Sequence, residues 1–245
     1  MRSIIVKKAD RAKALGPAIM YQRWEELLFL HWSFDPSAVQ ETLPPGLRVD
    51  TFEGKAWIGV VPFFMSGVRP RFLPAVPGIS SFQELNLRTY VMDEQGRRGV
   101  WFYSLDTSHR LPVWVARSFF HLNYLHASMR ASRRDDVIEY YSQRSGTAGS
   151  QRFAWKRTGE VRLAQEATLE HFLVERYRLF AYDSKRKQLL TGCVSHDPYQ
   201  IQDVALSEYS TRLFELDGLS APQGAPESVI ASAGADVRIH PLERV

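Results

Sequence analysis

Short segments of alternating apolar and polar residues dominate the chain, and turn residues separate them. This period-two pattern is typical of β-strands with one buried face. Two hairpins are predicted: 47–52 with 55–65 around Glu53-Gly54, and 82–92 with 99–108 around the turn 93–96. Pro62 cannot donate a ladder hydrogen bond, so it indicates an edge or a bulge. Further strands are predicted at 27–32, 124–129, 136–144, 151–157, 177–182, 188–195 and 228–241, with 177–182 and 188–195 forming a third hairpin.

Helical signals are fewer and shorter. Asp35 is a candidate N-cap, Pro36 suits the first helical position, and the prolines of 44–46 end that helix. Helices are also predicted at 111–120, at 168–175 with Thr168 as a cap, and at 208–216. The proline-rich stretch 66–78 predicts an irregular surface loop. Such a loop could cover the mouth of a pocket. The fold class expected is α+β: a mainly antiparallel, β-barrel-like core with a few short helices.

Composition narrows the class of protein. Hydrophobic residues make up 44% of the chain and charged residues 24%, so a packed core is expected. The net charge is +4, far below that of a basic nucleic-acid-binding arm. No specific nucleic-acid binding is therefore expected. The single cysteine, Cys193, excludes an internal disulfide framework and is predicted to be a small core residue. No secretory signal and no apolar run of about 18 residues is present, so a cytoplasmic protein without a membrane partner is expected.

Several segments together carry a family resemblance. They are Leu-Phe-Leu-His-Trp at 28–32, Leu-Pro-Pro-Gly-Leu at 43–47, Asp-Thr-Phe-Glu-Gly-Lys-Ala-Trp at 50–57, Glu-Leu-Asn-Leu-Arg-Thr-Tyr-Val at 84–91, Gly-Val-Trp-Phe-Tyr-Ser-Leu-Asp at 99–106 and Ile-His-Pro-Leu-Glu-Arg-Val at 239–245. The chain resembles the YqjF-like bacterial family of unknown function from about residue 21 to its end. That family looks related to the acetoacetate decarboxylase-like superfamily, which implies a closed barrel-like fold with a polar interior pocket. Residues 1–20 are then expected to be an N-terminal extension and 21–245 a single domain.

The resemblance also implies a Schiff-base lysine, which this sequence lacks. In acetoacetate decarboxylases that lysine lies near the middle of the chain, and the comparable stretch here is 119–124. No lysine lies between Lys55 and Lys156, and Tyr124 or Asn123 occupies the slot. A neutral lysine amine must condense with the ketone before carbon dioxide can leave. Imine chemistry is therefore not expected, and Lys55 and Lys156 are interpreted as solvated strand lysines.

The strand 82–92 carries the candidate site. One face presents Glu84, Asn86 and Arg88 between the aromatic residues Phe82 and Tyr90. If this face lines the lumen, Arg88 can hold a carboxylate and Glu84 can act as acid or base. The resemblance places Glu84 about where the superfamily has its pocket glutamate. A solvent-facing stripe or a Glu84–Arg88 ion pair remains the alternative.

Other candidate motifs are weaker. Asp106, Ser108 and His109 contain the residue types of a nucleophile system, but their close spacing favours a turn in which Asp106 accepts backbone hydrogen bonds. The seven histidines show no metal-binding spacing, so no metal site is predicted. No glycine-rich nucleotide motif is present, and no cofactor is predicted.

The sequence thus predicts a protein that binds a small anionic organic molecule in an internal pocket. Its predicted ligand contacts are Asn86, Arg88, Tyr90 and Tyr124, with Glu84 as the acid–base candidate. Whether the protein is an enzyme stays open at this point, as does homo-oligomer formation. The alternative is a non-catalytic small-ligand binding or accessory protein.

Overall fold

The structure, a computed structural model, describes residues 16–109 and 121–245. Its strands are β1 (Met20–Phe34), β2 (Leu47–Val49), β3 (Ala56–Pro70), β4 (Phe82–Asp93), β5 (Arg98–Thr107), β6 (Tyr124–Arg134), β7 (Val137–Arg144), β8 (Gln151–Leu163), β9 (Arg178–Asp183), β10 (Gln188–Ser195), β11 (Gln200–Glu208) and β12 (Ser228–Arg244). Its helices are α1 (Pro36–Gln40), α2 (Leu169–Val174) and α3 (Arg212–Leu216). The predicted α+β class with a mainly antiparallel sheet is confirmed.

The sheet closes on itself twice and is not one regular barrel. Strands β12, β1, β3, β4 and β5 form a common wall. On one side β9 and β10 join β5 to β12, which completes a seven-strand ring. On the other side β6, β7, β8 and β11 join the same two strands, which completes a nine-strand ring. Because side chains alternate along a strand, each wall strand contributes residues to both interiors.

Alternation along β1 and β4 separates the two interiors. Leu28, Leu30 and Leu87 belong to the core of the nine-strand ring, whereas Leu27 and Phe29 belong to that of the seven-strand ring. A short helix fills part of each ring. Helix α3 contributes Leu213 and Phe214 to the nine-strand ring, and α2 contributes Phe172, Leu173 and Val174 to the seven-strand ring.

Local chemistry explains where these helices begin. Asp35 caps α1 by accepting hydrogen bonds from the backbone N–H groups of Ser37 and Ala38, and Pro36 takes the first helical position, as predicted. Thr168 caps α2 through the backbone N–H of His171, again as predicted. Pro62 was predicted to mark an edge or a bulge, and it lies opposite the point where the pairing of β1 with β3 shifts register.

Three secondary-structure predictions from the sequence are wrong in whole or in part. The stretch 66–78 is not irregular throughout, because β3 continues through 66–70. The segment 47–52 does not form a hairpin with 55–65. The turn Glu53-Gly54 closes a single bridge between Phe52 and Lys55, and β2 pairs instead with β4. The helix predicted at 208–216 is confined to Arg212–Leu216, and β11 before it was not predicted. The helix predicted at 111–120 lies outside the described residues. No helix of the described chain is long and apolar enough to cross a membrane.

Candidate functional site

A cavity of about 520 Å³ occupies the seven-strand ring. The wall strands, β9, β10, helix α2 and the segment 71–81 all contribute to its lining. Three polar residues of β4, namely Glu84, Asn86 and Arg88, line it together. Their neighbours Leu85 and Leu87 face the nine-strand ring, where they pack in the same core as α3. The alternation of 82–92 predicted that these three side chains share one face of the strand. In the structure that face lines the cavity.

Glu84 forms the polar end of this surface. It is 3% exposed, and its carboxylate accepts a hydrogen bond of 2.8 Å from the Tyr124 hydroxyl. Burial raises the pKa of Glu84 from 4.5 to about 7, an effect that Tyr124 and Asn86 oppose and that the charge of Asp106 reinforces. Burial and the Glu84 charge raise the pKa of Tyr124 well above its usual value. Glu84 can thus gain or lose a proton near neutral pH, while Tyr124 stays a donor.

Polar groups around Glu84 have spare hydrogen-bonding capacity. The Asn86 amide nitrogen lies 3.5 Å from a Glu84 oxygen, and its Oδ1 has no partner among the described residues. A half-turn of this amide brings Oδ1 to the carboxyl, where it can accept from protonated Glu84. Thr107, which pairs with Glu84 across the sheet, also has a buried hydroxyl without a partner in the described chain.

Arg88 forms the cationic end. One terminal nitrogen donates to the carbonyl of Leu173 at 3.2 Å and to the Tyr90 hydroxyl at 3.3 Å. The guanidinium also lies 5.3 Å from the ring centre of Phe29. Its Nε is buried without a partner, and no carboxylate of the described chain lies within 4.0 Å of it. Arg88 therefore brings a positive charge to the cavity without a matching acid beside it.

Tyr90 contacts Arg88, and His31 contacts Tyr90; neither residue neutralises the Arg88 charge. The Tyr90 hydroxyl donates to the carbonyl of Leu173 at 2.9 Å and lies 2.6 Å from Nε2 of His31. Burial and the nearby Arg88 charge lower the pKa of His31 well below its usual value, so the ring is neutral. Tyr90 is fully buried and does not contribute to the cavity lining, whereas the sequence predicted it as a ligand contact. Its observed role is to contact Arg88.

The two charged ends are separated along the strand. Glu84 and Arg88 are four residues apart, which corresponds to about 13 Å between their backbone positions. They form no ion pair with each other; Glu84 is buried and Arg88 is half-buried, and both line the cavity. Because both residues line the same cavity, a ligand of sufficient length can contact an acid at one end and a cation at the other.

No lysine of the described chain lines this cavity. Lys55 pairs with Glu227 and Lys156 with Asp136, and both lysine side chains are exposed. Lys185 and Lys187 lie in the exposed turn between β9 and β10. Of the two residues that the resemblance suggested for the position of the superfamily lysine, Tyr124 lines the cavity and Asn123 is exposed.

Sequence reasoning missed two further arginines of the lining. Arg176 pairs with buried Asp50 at 2.7 Å, so its charge is already matched. Arg178 donates to the Thr191 hydroxyl at 3.0 Å. Arg176 lies in the connection between α2 and β9, and Arg178 is the first residue of β9. Both reach the cavity only when the ring closes, which no local pattern indicates.

A second charged cluster lies behind the site, in the nine-strand ring. Arg144 donates to Asp106 at 2.9 Å, to Asp217 at 2.6 Å and to the Ser104 hydroxyl at 2.7 Å. Burial raises the pKa of Asp106 to about 6, although Arg144 opposes the rise. The interpretation of Asp106 as a turn residue accepting backbone hydrogen bonds is wrong, since it lies within β5 and binds Arg144.

The remaining candidates do not converge on the cavity. The Ser108 hydroxyl donates to the Gln83 side chain at 3.1 Å, and His109 contacts the carbonyl of Gly78 at 2.8 Å. Cys193 is half-buried, and burial raises its pKa, so its thiol is not activated. Within residues 16–109 and 121–245 no three His, Cys, Asp or Glu side chains group as metal ligands do.

Comparison with solved structures identifies the fold. An acetoacetate decarboxylase-like enzyme from Sphingomonas wittichii RW1 superposes with a TM-score of 0.64 at 14% identity, covering 94% of each chain. Acetoacetate decarboxylase from Legionella pneumophila gives 0.65 at 14% identity, covering 94% of this chain and 88% of that one. The enduracididine biosynthesis enzyme MppR, complexed with pyruvate, gives 0.63 at 13% identity, covering 93% and 91%. The fold is acetoacetate decarboxylase-like.

Sequence comparison identifies the family. The protein YqjF of Bacillus subtilis (strain 168) is 37% identical over 212 residues, which span 86% of each chain. This similarity confirms the resemblance to the YqjF-like family. Residues 21–236 match the family DUF2071, described as an uncharacterized conserved protein. The chain is thus a relative of YqjF and belongs to the DUF2071 family.

Proposed function

We propose that this protein binds a small organic carboxylate inside the seven-strand ring and moves a proton on it without forming an imine. The observation that carries the proposal is the Arg88 guanidinium, which faces the cavity with no carboxylate of the described chain beside it. Removing a charge from water costs several kcal/mol unless a counter-charge compensates it. A bound carboxylate supplies that counter-charge and can accept two parallel hydrogen bonds from a guanidinium.

The other end of the cavity supports proton transfer. Glu84 has a pKa of about 7, so both its acid and its base forms are populated at neutral pH. The Tyr124 hydroxyl, 2.8 Å from Glu84, orients the carboxyl toward the bound molecule. The ligand carboxylate then lies at Arg88, and the atom that gains or loses a proton lies near Glu84.

The structural neighbours give independent support for the ligand class. MppR has been crystallised with pyruvate, a small carboxylate, although at 13% identity the likeness itself concerns the fold. The lysines of the described chain lie outside the cavity, so none of them is placed to form an imine with a ligand there. Proton transfer by Glu84 is the chemistry that the residues of the cavity support.

Binding is tested with hexanoate as the probe, by calorimetric titration at neutral pH. Arg88→Gln keeps a polar side chain but removes the charge, and we expect it to abolish binding. Arg152→Gln is the matched control, because Arg152 is exposed on β8 and does not line the cavity. Equal affinity in the wild type and Arg88→Gln would contradict the proposed anchor.

Non-catalytic binding is the second candidate, and the apolar character of most of the lining favours it. Deuterium exchange separates the two candidates. The protein is incubated in D₂O with 7-oxooctanoate, a keto acid long enough to bring its ketone toward Glu84 while Arg88 holds its carboxylate. Proton signals beside the ketone are followed by NMR. Exchange in the wild type that is lost in Glu84→Gln supports proton transfer. Binding without exchange in either protein identifies a binding protein.

A further inference from the structure

We infer that the ligand is an amphipathic monocarboxylate, with its carboxylate at Arg88 and a long apolar body that extends to the cavity mouth under the segment 71–81. This inference rests on the proposed function and specifies the class of molecule. It depends on three observations: the composition of the lining, the volume of the cavity and the apolar surface of the mouth.

Most of the lining is apolar, and its cations without a carboxylate partner in the described chain are Arg88 and Arg178. Of the 30 lining residues, 21 are aliphatic, proline, methionine, phenylalanine or tryptophan. Several of the polar ones are already bonded within the protein: Gln22 to Trp24, Arg176 to Asp50 and Tyr124 to Glu84. A sugar or a nucleotide would leave several of its own polar groups without partners, which costs binding free energy. One anionic head on an apolar body fits this lining.

The volume indicates a molecule larger than pyruvate. Sites for drug-sized ligands measure roughly 300–1,000 Å³, and this cavity measures about 520 Å³. A short keto acid held at Arg88 would leave most of the apolar lining against water. An apolar body that fills this space gains the free energy of burying its own surface and that of the lining.

The segment 71–81 defines the direction of that body. It leads directly into β4 at Phe82, so the lining order from the mouth inward is Phe82, Glu84, Asn86 and Arg88. Arg88 lies at the inner end, where it contacts the carbonyl of Leu173 in α2. A carboxylate held there leaves the rest of the molecule to pass Glu84 and reach the mouth.

Apolar surface continues from the cavity to the outside at this mouth. Leu73, Val76 and Ile79 line the cavity and are nevertheless 58%, 48% and 43% exposed. Ser80 fixes the segment, because its hydroxyl accepts from the backbone N–H of Val76 at 2.8 Å. Apolar side chains that are both lining and exposed provide contacts for the far end of a long apolar body.

The test is a series of straight-chain acids, from butanoate through hexanoate and octanoate to decanoate, titrated by calorimetry into the full chain. We expect affinity to rise about fourfold for each added methylene, as for burial of a CH₂ group. Val76→Asp should weaken decanoate binding severalfold and leave butanoate binding unchanged. Phe72→Ser is the matched control: Phe72 is 86% exposed in the same segment, does not line the cavity, and its loss should change neither.

Each result separates this inference from the proposed function. Affinity that stays flat or falls beyond butanoate, while still requiring Arg88, would overturn the amphipathic class and keep the carboxylate site. Octanol that binds as tightly as octanoate would overturn the Arg88 anchor and keep an apolar cavity. Failure of every acid to bind would overturn both.

Discussion

Replacing Glu84 by glutamine should stabilise the protein at alkaline pH and leave its stability unchanged at acid pH. The side chain is buried, and its pKa rises from 4.5 to about 7 on folding. When a carboxyl has a higher pKa in the folded state, the unfolded state loses its proton at lower pH than the folded state does. In that pH range, raising the pH therefore favours unfolding. Stability of the wild type should therefore fall as the pH rises from about 4.5 to about 7 and stay reduced above that. Glutamine has the same shape and no proton to lose, so the variant lacks this fall.

The expected difference follows from the two pKa values. A rise from 4.5 to about 7 corresponds to about 3 kcal/mol in the free energy of unfolding. That is a large share of the roughly 5–15 kcal/mol by which domains are stable. In the Glu84→Gln variant the Tyr124 hydroxyl can still donate to the new side-chain carbonyl, so the difference isolates the charge rather than the hydrogen bond.

Urea unfolding between about pH 4.5 and pH 9 measures this effect. The curves of free energy against pH should meet at the acid end and separate by about 3 kcal/mol above pH 7, with Glu84→Gln the more stable protein. Glu160→Gln, a change at an exposed glutamate of β8, should follow the wild type throughout. Parallel curves for wild type and Glu84→Gln would refute the reasoning, because they would mean that Glu84 is ionised at no cost to the fold.

Three further predictions concern the rest of the structure. Arg144→Ala should lower the free energy of unfolding by about 3–5 kcal/mol in urea titrations, because it leaves buried Asp106 without a counter-charge. Gly234→Ala should prevent folding or lower the thermal midpoint sharply, since the new Cβ would lie 2.1 Å from the Trp24 carbonyl oxygen. Gly218→Ala is the control: Gly218 also has a positive φ but open space around it, so the free energy of unfolding should fall by only about 1 kcal/mol. Borohydride reduction in the presence of acetoacetate should leave the intact mass unchanged, and a mass increase on any lysine would contradict chemistry without an imine.

The face pattern of β4 could be predicted because it needs only local geometry. Successive residues of a strand point to opposite sides, so Glu84, Asn86 and Arg88 were grouped correctly without knowledge of their surroundings. The caps Asp35 and Thr168 were predictable for the same reason, since each bonds to backbone groups within three residues.

Features that depend on long-range pairing could not be predicted in this way. Arg144 and Asp217 are 73 positions apart and meet only when the nine-strand ring closes around α3. The turn Glu53-Gly54 forms, but Leu47 packs with Val91 and Leu189 in a separate core, which draws β2 to β4. Strand β11 has a polar, half-exposed sequence that is typical of a loop, and its partners in β8 and β12 hold it extended.

The shared wall also determines the order in which this chain can complete its fold. Met20 in β1 pairs with Ile239 in β12, so the first and the last described strands are hydrogen-bonded neighbours. Neither ring can close before β12 has left the ribosome, and until then β1 has an open edge that another chain could pair with. Such distant pairings make folding slow, on the scale of milliseconds to seconds for β-rich domains of small size. During synthesis, the unpaired edge of β1 is therefore where a chaperone would protect the nascent chain against aggregation.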